Sequence, residues 1–468
     1  MIQSRLIQLY LTLNKAELRQ LKRWINSPIH NQNQEVVKLF DYLSSRRKIT
    51  KVTVLKKRVF NAVYPNELYH EAKQNILMSY ALKSLKEFIG YNLLVLEGFN
   101  LNKSTIESLK NRQLDQMATQ ELQKLKATKA NSPLSNAEET LQYFLLEKEA
   151  FELVGTQQRT IQTNLPILFE HLTDFYSIAT LKYACIAMTH RNVRQQEYSI
   201  PMLDSLLIHA QENKHPIVQL YYNAYQALIQ LDKEAYFQKA EQLFLVNNDK
   251  LNASEKRGML LILINYCIKR INMDAKAYQL KVFEWYKWGL EQGALLYHKK
   301  LSRFTYLNIT SAGLKLKEFD WVAQFIKNYA NYLPTAYKAN YVHYTTAKLY
   351  FNKKKYYEAQ QLLQQIEYDD IFLNLDAKTM LLEIYYEEKS IDALEALLGS
   401  FTRYLQRNSI IAYHKKVYQN IIYLIQKMID TPSYDKKAQE LLKKEIETLT
   451  PLTERDWFLK QIAKITTG

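Results

Sequence analysis

Two Glu-x-x-His spacings are the clearest candidates for metal chemistry in the sequence. Glu67 lies three residues before His70, and Glu212 lies three residues before His215. On a helix this spacing puts both side chains on one face, and bundles that hold two metal ions use two such motifs with glutamates from two other helices. The second motif lies in "ENKHP", which indicates a helix break. We therefore expect no metal site at either motif.

Other catalytic patterns are missing from the sequence. The carboxylates of Glu383 and Glu387 are four residues apart, which is typical of a solvated helix face as well as of a metal ligand pair. His209 and His215 are six apart, which does not place two ligands on one helical face. No GxGxxG, GxxxxGK[ST], HExxH, CxxC or GxSxG occurs. We expect no catalytic residue, no cofactor and no metal, so an enzyme would need a site built from distant residues.

The two cysteines and the apolar segments favour a cytoplasmic protein. Cys185 and Cys267 stand alone among apolar neighbours, as reduced thiols in a core do. The longest apolar run, "GMLLILINYCI" at 258–268, is shorter than the ~20 residues that cross a membrane. The first residues lack the pattern of a signal peptide. We expect no membrane partner.

Positive charge is concentrated at the N-terminal end. The 468 residues carry a net charge of +16, and residues 1–130 hold 22 Lys and Arg against 10 Asp and Glu. Such asymmetry is typical of an end that meets an acidic partner, although a solvated surface also explains it. No helix-turn-helix, zinc-finger or RNA-recognition pattern accompanies the charge.

Composition favours an all-α fold. Glycine and proline occur only 9 times each, whereas average usage is about 7% and about 5%. Sheet proteins need both residues for their hairpins and turns. The apolar residues instead recur at helical spacing, as in "ELRQLKRWI", where Asn14 and Glu17 fit a capping box.

Three segments are predicted along the chain. Residues 1–98 form a basic helical module, residues 99–134 form a lysine-rich helical connector, and residues 135–468 form an array of helical hairpins. The first module, with "ELRQLKRWINSPIHNQNQEVVKLFDYL" and then "LKKRVFNAVYP", resembles the start of uncharacterised bacterial helical proteins. That resemblance implies no activity.

Self-similar helical segments recur in the second half of the chain. The segments 317–334, 354–370, 388–401 and 433–447 align on a small or β-branched residue, and an earlier fragment, 234–244, joins them. The aligned residues are Val322, Ala359, Ala393, Ala438 and Ala240. An aromatic residue stands three positions earlier in three cases, at Phe237, Phe319 and Tyr356.

This pattern resembles the tetratricopeptide repeat, a pair of antiparallel helices of 34 residues. In that family the small residue lets the two helices of a pair approach closely, and Pro334, twelve residues after Val322, also matches. The resemblance covers residues 215–468 and implies antiparallel helix pairs stacked as a TPR-like α-solenoid. In this alignment Asn352 to Lys355 form the turn between two helices. The alternative is a nucleic-acid contact in which these lysines meet phosphate and the next tyrosines stack on bases.

The resemblance also implies a groove lined by the first helix of each pair. The groove candidates on these residues are Ser311, Lys315, Tyr341, Tyr344, Lys348, Asn352, Lys378 and Tyr385, with Phe304 and Leu307 at equivalent positions. Lysine, asparagine and tyrosine suit an acidic or C-terminal peptide. A tyrosine stripe at 337, 341 and 344 is explained either by packing between repeats or by a binding surface.

Two functions follow from the sequence. The first is a non-catalytic helical-repeat scaffold that binds an acidic protein or peptide partner in this groove. The alternative is a nucleic-acid-binding or regulatory protein that acts through the basic N-terminal module. The sequence does not specify an oligomeric state.

Overall fold

The computed structural model describes residues 1–130, 136–155, 162–194, 196–273, 275–364, 371–407, 412–432 and 434–467. Within these ranges the chain forms 23 α-helices, one short 3-10 helix and two strands of two residues each. The predicted all-α class is therefore confirmed. Across the same ranges, no helix is long and apolar enough to span a membrane.

The chain divides into two compact units. The first comprises Met1–Leu134 and Glu138–Thr173, and the second comprises Ser135–Ala137 and Asp174–Gly468. The predicted boundary between residues 134 and 135 lies outside the described residues, and so does Ser135. The three predicted segments stay predictions.

The first unit contains eight helices and the beginning of a ninth. They are α1 (Arg5–Tyr10), α2 (Lys15–Ile25), α3 (Gln34–Ser44), α4 (Lys56–Val63), α5 (Glu71–Glu97), α6 (Phe99–Asn111), α7 (Asp115–Ala130), α8 (Ala137–Gly155) and α9 (Leu165–Arg194), of which residues up to Thr173 belong here. Helix α5 packs against α1, α2 and α3. The predicted capping box is confirmed, because Asn14 Oδ1 accepts the N–H of Glu17 and the Glu17 carboxylate accepts the N–H of Asn14.

The lysine-rich segment contributes a small core of its own. Helices α6 and α7 pack against each other, and they bury Ile106 and Ala118 together with Leu146 of α8. The ammonium of Lys110 donates to the carboxylate of Glu149, which is 1% exposed, at 2.6 Å. This segment is therefore packed on one side and solvated on the other.

The second unit continues α9 and adds fourteen helices. They are α10 (Leu203–Glu212), α11 (Pro216–Ile229), α12 (Glu234–Asn247), α13 (Ala253–Ile271), α14 (Tyr278–Glu291), α15 (Arg303–Lys315), α16 (Phe319–Tyr329), α17 (Thr335–Asn352), α18 (Tyr356–Leu363), α19 (Ile371–Glu387), α20 (Ile391–Arg407), α21 (Ala412–Asp430), α22 (Lys436–Thr448) and α23 (Arg455–Thr467). A hairpin of β1 (Leu296–Tyr297) and β2 (Lys300–Leu301) precedes α15, and the 3-10 helix Ala330–Tyr332 follows α16.

The sequence explains why two of these helices begin where they do. The predicted break in "ENKHP" is confirmed, because α10 ends at Glu212 and α11 begins at Pro216. His215 caps α11, and its Nδ1 accepts the N–H of Ile217 at 3.2 Å. Asn252 caps α13 in the same way, with its Oδ1 accepting the N–H of Glu255. Proline fits the first turn of a helix because that position needs no hydrogen-bond donor.

Both cysteines are free and buried in the second unit, as predicted. Burial raises the pKa of the Cys185 thiol well above its usual range and raises the pKa of Cys267 to about 12. Since the thiolate is the reactive form, both side chains act as small apolar core residues.

One turn geometry recurs three times in this unit. It joins α15 to α16, α17 to α18 and α19 to α20, with a lysine at positive φ in each turn: Lys317 at 61°, Lys354 at 59° and Lys389 at 56°. In each case the next N–H donates to a carbonyl five residues earlier at 2.9 Å. The acceptors are Gly313, Tyr350 and Tyr385. The predicted turn at residues 352–355 is therefore confirmed.

The helices joined by these turns pack in a regular order. Helices α15 and α17 lie side by side, as do α17 and α19, and α19 and α21. Each second helix also contacts the first helix of the next pair, so α16 packs on α17 and α18 packs on α19. Helices α11 and α12 form a further packed pair.

The aligned small residues divide into two groups. Ala240, Val322 and Ala359 are fully buried, as the repeat alignment predicts. Ala393 is exposed and Ala438 is partly exposed, whereas the next residue, Leu394 or Gln439, is buried. The alignment is therefore displaced by one residue in α20 and α22.

Candidate partner-binding groove

The groove candidates lie on α15, α17 and α19, and they differ widely in exposure. Lys315 and Asn352 are exposed. The partly buried candidates are Ser311, Lys348, Lys378 and Tyr385. Tyr341 and Tyr344 are buried, with 2% and 4% of their surface accessible.

The structure brings the α15 and α17 candidates together. Nζ of Lys348 donates to Oγ of Ser311 at 2.9 Å, which joins the facing sides of the two helices. Asn352, one turn after Lys348, donates from its amide to the Lys348 carbonyl at 2.8 Å. Lys315 ends α15 and is exposed. These four residues form a polar surface at the carboxyl ends of two neighbouring helices.

The two buried tyrosines belong to the core. Burial raises the pKa of Tyr344 well above its usual range, so its hydroxyl stays protonated. Tyr341 packs in the same core cluster as Tyr344 and Ala347. Tyr337, the third residue of the stripe, is 39% exposed, and the Arg303 guanidinium lies 4.2 Å from its ring centroid. Packing between helices thus accounts for the buried part of the tyrosine stripe.

Two groove candidates, Lys378 and Tyr385, lie on α19. Nζ of Lys378 lies 5.8 Å from the ring centroid of Tyr404 on α20, and burial lowers the pKa of this ammonium. Tyr385 packs partly against the core clusters. Lys378 therefore lies beside α20, the second helix of its own pair, although the alignment assigned it to the groove.

Glu383 of α19 lies within electrostatic reach of Lys348. Burial raises the pKa of Glu383 well above its usual range, and Glu454 acts in the same direction, while Lys348 opposes both. Glu383 is 5% exposed, and its Oε1 accepts no hydrogen bond from the described residues. Oδ1 of Asp376, two turns earlier, accepts the hydroxyl of Tyr418 at 2.8 Å. Lys348, Glu383, Glu454 and Asp376 therefore interact electrostatically, and we call these four groups the mixed cluster.

Glu454 comes from the segment between α22 and α23. Burial raises its pKa, and Lys348 and Lys315 act against that rise. The Pro451 carbonyl of the same segment accepts the amide of Asn420 on α21 at 2.9 Å. Glu454 is therefore within electrostatic reach of the two lysines predicted to bind an acidic partner.

Helix α23 is fixed to the end of α19 by a single carboxylate. Glu387 accepts hydrogen bonds from Trp457 Nε1 at 2.9 Å, Gln461 Nε2 at 2.8 Å and the Tyr356 hydroxyl at 2.6 Å. Burial tends to raise the pKa of Glu387, but the hydrogen bonds from Tyr356 and Trp457 outweigh it and the pKa is lowered. Phe458 of α23 is fully buried in the core. Glu387 is thus a structural acceptor that joins α18, α19 and α23.

The sequence contains a signal for part of this cluster. Asp376, Glu383 and Glu387 are separated by seven and four residues, which places them on one face of an otherwise apolar helix. Glu454 carries no comparable signal, because it is remote in sequence from the helices that it meets. The acidic face of α19 could therefore be predicted from the sequence, whereas the position of Glu454 could not.

The Glu-x-x-His motifs do not assemble a metal site. His70 caps α5, with Nδ1 accepting the N–H of Lys73 at 3.2 Å, and Glu67 pairs with the ammonium of Lys73 at 2.6 Å. Across the described ranges, no group of three His, Cys, Asp or Glu side chains is arranged to hold a metal ion.

No model of a known protein family matches the chain, and no curated protein matches it.

Proposed function

We propose that the protein is a cytoplasmic, non-catalytic helical-repeat scaffold that binds a protein or peptide partner with acidic groups. The recurrent turn, with lysine at residues 317, 354 and 389, carries this proposal. Three helix pairs with the same turn, whose first helices lie side by side, support a TPR-like α-solenoid across residues 303–407. Solenoids present extended surfaces for partner proteins because each repeat contacts its neighbours in one direction.

The polar surface at Ser311, Lys315, Lys348 and Asn352 is the proposed contact for the partner's carboxylates. An ammonium and a side-chain amide are suitable donors to a carboxylate or to peptide carbonyls. The electrostatic attraction of Glu454 to Lys315 and Lys348 supports this chemistry, since both ammonium groups already act on one carboxyl group.

The acidic face of α19 limits where further negative charge fits. Asp376 would repel a second carboxylate placed beside it, because charges in a partly buried site are weakly screened. The partner's acidic groups therefore belong at the α15 and α17 end, and the exposed Lys315 and Asn352 are its first contacts.

The experiment is affinity purification of the tagged full-length protein from its native lysate with nuclease present. The test variant is Lys315→Glu with Asn352→Glu, because both side chains are exposed and their replacement leaves the core intact. Lys348 is left in place, since its ammonium offsets the carboxylates of Glu383 and Glu454. A control that adds at least as much negative charge elsewhere is Lys327→Glu with Lys443→Glu, two exposed lysines on the second helices α16 and α22.

The expected result is a stoichiometric protein partner that the wild type and the control retain and the test variant loses. Retention of the same partner by the test variant would overturn the assignment of this surface. Absence of any protein partner from the wild-type sample would count against the scaffold function itself.

A further inference from the structure

The connection between α3 and α4 carries the densest positive charge of the first unit. The stretch "RRKITKVTVLKKR", residues 46–58, holds seven Lys and Arg and no Asp or Glu. The nearest acidic residues in the sequence are Asp41 and Glu67. We call residues 46–58 the basic loop, although its last three residues form the first turn of α4.

Most of these cations face solvent without a counter-charge. The exposed ones are Arg47, Lys48, Lys51, Lys56, Lys57 and Arg58. Lys56 forms an ion pair with Glu71, and the partly buried Arg46 lies over the ring of Tyr42. In the part of the chain that the structure describes, the other five make no ion pair. An exposed group of five uncompensated cations is the electrostatic footprint of a polyanion site.

The basic loop is held in one conformation by its own contacts. Val54 is fully buried in the core of the unit, and the Tyr42 hydroxyl donates to the Thr53 carbonyl at 2.7 Å. The N–H of Thr50 donates to Oγ1 of Thr53 at 2.7 Å and closes a turn. The cations are therefore displayed on a pre-organised backbone, which lowers the entropy cost of binding.

The last three cations of the basic loop lie at the start of α4, where positive charge is unfavourable. Lys56, Lys57 and Arg58 occupy the first turn of α4, where the positive end of the helix dipole repels cations. Leu55, the residue before the helix, gives no side-chain hydrogen bond to the first N–H groups. An anion bound here would relieve the repulsion and accept those N–H groups.

We propose that the basic loop binds the phosphate backbone of a nucleic acid without sequence preference. A phosphodiester strand supplies one negative charge about every 3.4 Å, which matches a short loop with five free cations better than isolated carboxylates do. Two exposed apolar side chains, Val52 and Leu55, contribute too little apolar area to anchor the loop in a membrane. This site is in the first unit and is independent of the proposed groove in the second.

The test is fluorescence anisotropy of the full-length protein with a short labelled DNA duplex and a labelled RNA strand over a series of salt concentrations. Five phosphate contacts predict a slope of log K against log salt of about −4 to −5 on the duplex. The test variant combines Lys48→Gln, Lys51→Gln and Lys57→Gln. Its affinity should be lower by about tenfold or more, and the magnitude of its slope of log K against log salt should be smaller by about 3.

A matched variant removes the same charge elsewhere in the unit. It is Lys83→Gln, Lys86→Gln and Lys124→Gln, all exposed on α5 and α7, and it should keep the wild-type slope. Equal slopes for both triple variants would overturn the proposal. The proposal would also be overturned if polyglutamate or anionic lipid vesicles bound as strongly as the nucleic acids, because either result would remove the preference for a phosphate backbone.

Discussion

Gly313 of α15 and Val322 of α16 approach so closely that no side chain fits between them. A Cβ on Gly313 would lie 2.5 Å from Cγ2 of Val322 and 3.2 Å from a ring carbon of Phe283. The Gly313 carbonyl also accepts the N–H of Glu318 at 2.9 Å, which closes the turn between the two helices. Glycine at this position therefore determines how tightly the first and second helices of the pair approach.

Substitution Gly313→Ala should destabilise the protein. Val322 and Phe283 are both buried and cannot move away freely, so the added methyl group forces the helices apart. Overpacking of this kind costs about 1–3 kcal/mol. The free energy of unfolding, measured by urea denaturation followed by circular dichroism, should fall by that amount.

Gly399→Ala is the matched control for this prediction. Gly399 is an exposed residue of α20, and a Cβ added to it would meet no atom within 4 Å. Alanine is favoured over glycine in a helix interior by roughly 0.5–1 kcal/mol, so this variant should gain stability. Unchanged or increased stability of Gly313→Ala would show that the two helices accommodate the added methyl group without cost.

The packed helix pairs of the second unit were predictable from sequence up to their register. The turn at residues 352–355 and the burial of Val322 and Ala359 follow from the spacing of polar and small residues. The alignment chose Ala393 because it is small, but the fourth residue of each second helix is the one that is buried. In α20 that residue is Leu394, so position within the helix decides burial, and residue size does not.

The polar surface of Ser311, Lys315, Lys348 and Asn352 was predictable only where its contacts join neighbouring helix pairs. The hydrogen bond from Lys348 to Ser311 joins equivalent positions of adjacent helices, which the repeat spacing implies. The sequence did not assign Glu383 and Glu454 to this surface, because their interaction depends on how the segment between α22 and α23 folds. The burial of Tyr341 and Tyr344 likewise depends on contacts that helical periodicity alone does not specify.

The positive φ of Lys354 predicts that glycine would stabilise this turn. A residue with a Cβ costs roughly 1–2 kcal/mol in the left-handed conformation, whereas glycine adopts it freely. Lys354 is exposed and its side chain makes no ion pair within the described residues. Lys354→Gly should therefore raise the free energy of unfolding by about 1 kcal/mol in urea denaturation.

The neighbouring lysine provides the contrast. Lys353 ends α17 with a φ of −82° and pairs with Asp320 at 3.7 Å, so glycine there gains no conformational relief. Lys353→Gly should leave stability unchanged or lower it by a few tenths of a kcal/mol. Equal stabilisation by both substitutions would show that the effect comes from the loss of positive charge and not from the backbone.

Glu383→Gln should stabilise the protein at neutral pH. Burial raises the pKa of Glu383 above its value in the unfolded chain, so the folded state binds the proton more strongly. The free energy of unfolding of the wild type should then decrease as pH rises from the unfolded pKa through the folded pKa. Glutamine resembles the protonated acid and removes this loss, so its advantage should appear at neutral pH and disappear in acid.

Urea denaturation midpoints of both proteins across a pH series measure this difference. Glu395→Gln, an exposed residue of α20, is the control and should follow the wild-type curve. A variant Glu383→Gln that is less stable than the wild type at neutral pH would show that Lys348 stabilises the ionised carboxylate by more than burial destabilises it. In that case the mixed cluster would be an ion pair that holds α17 against α19, because removal of one partner from a buried pair leaves the other uncompensated.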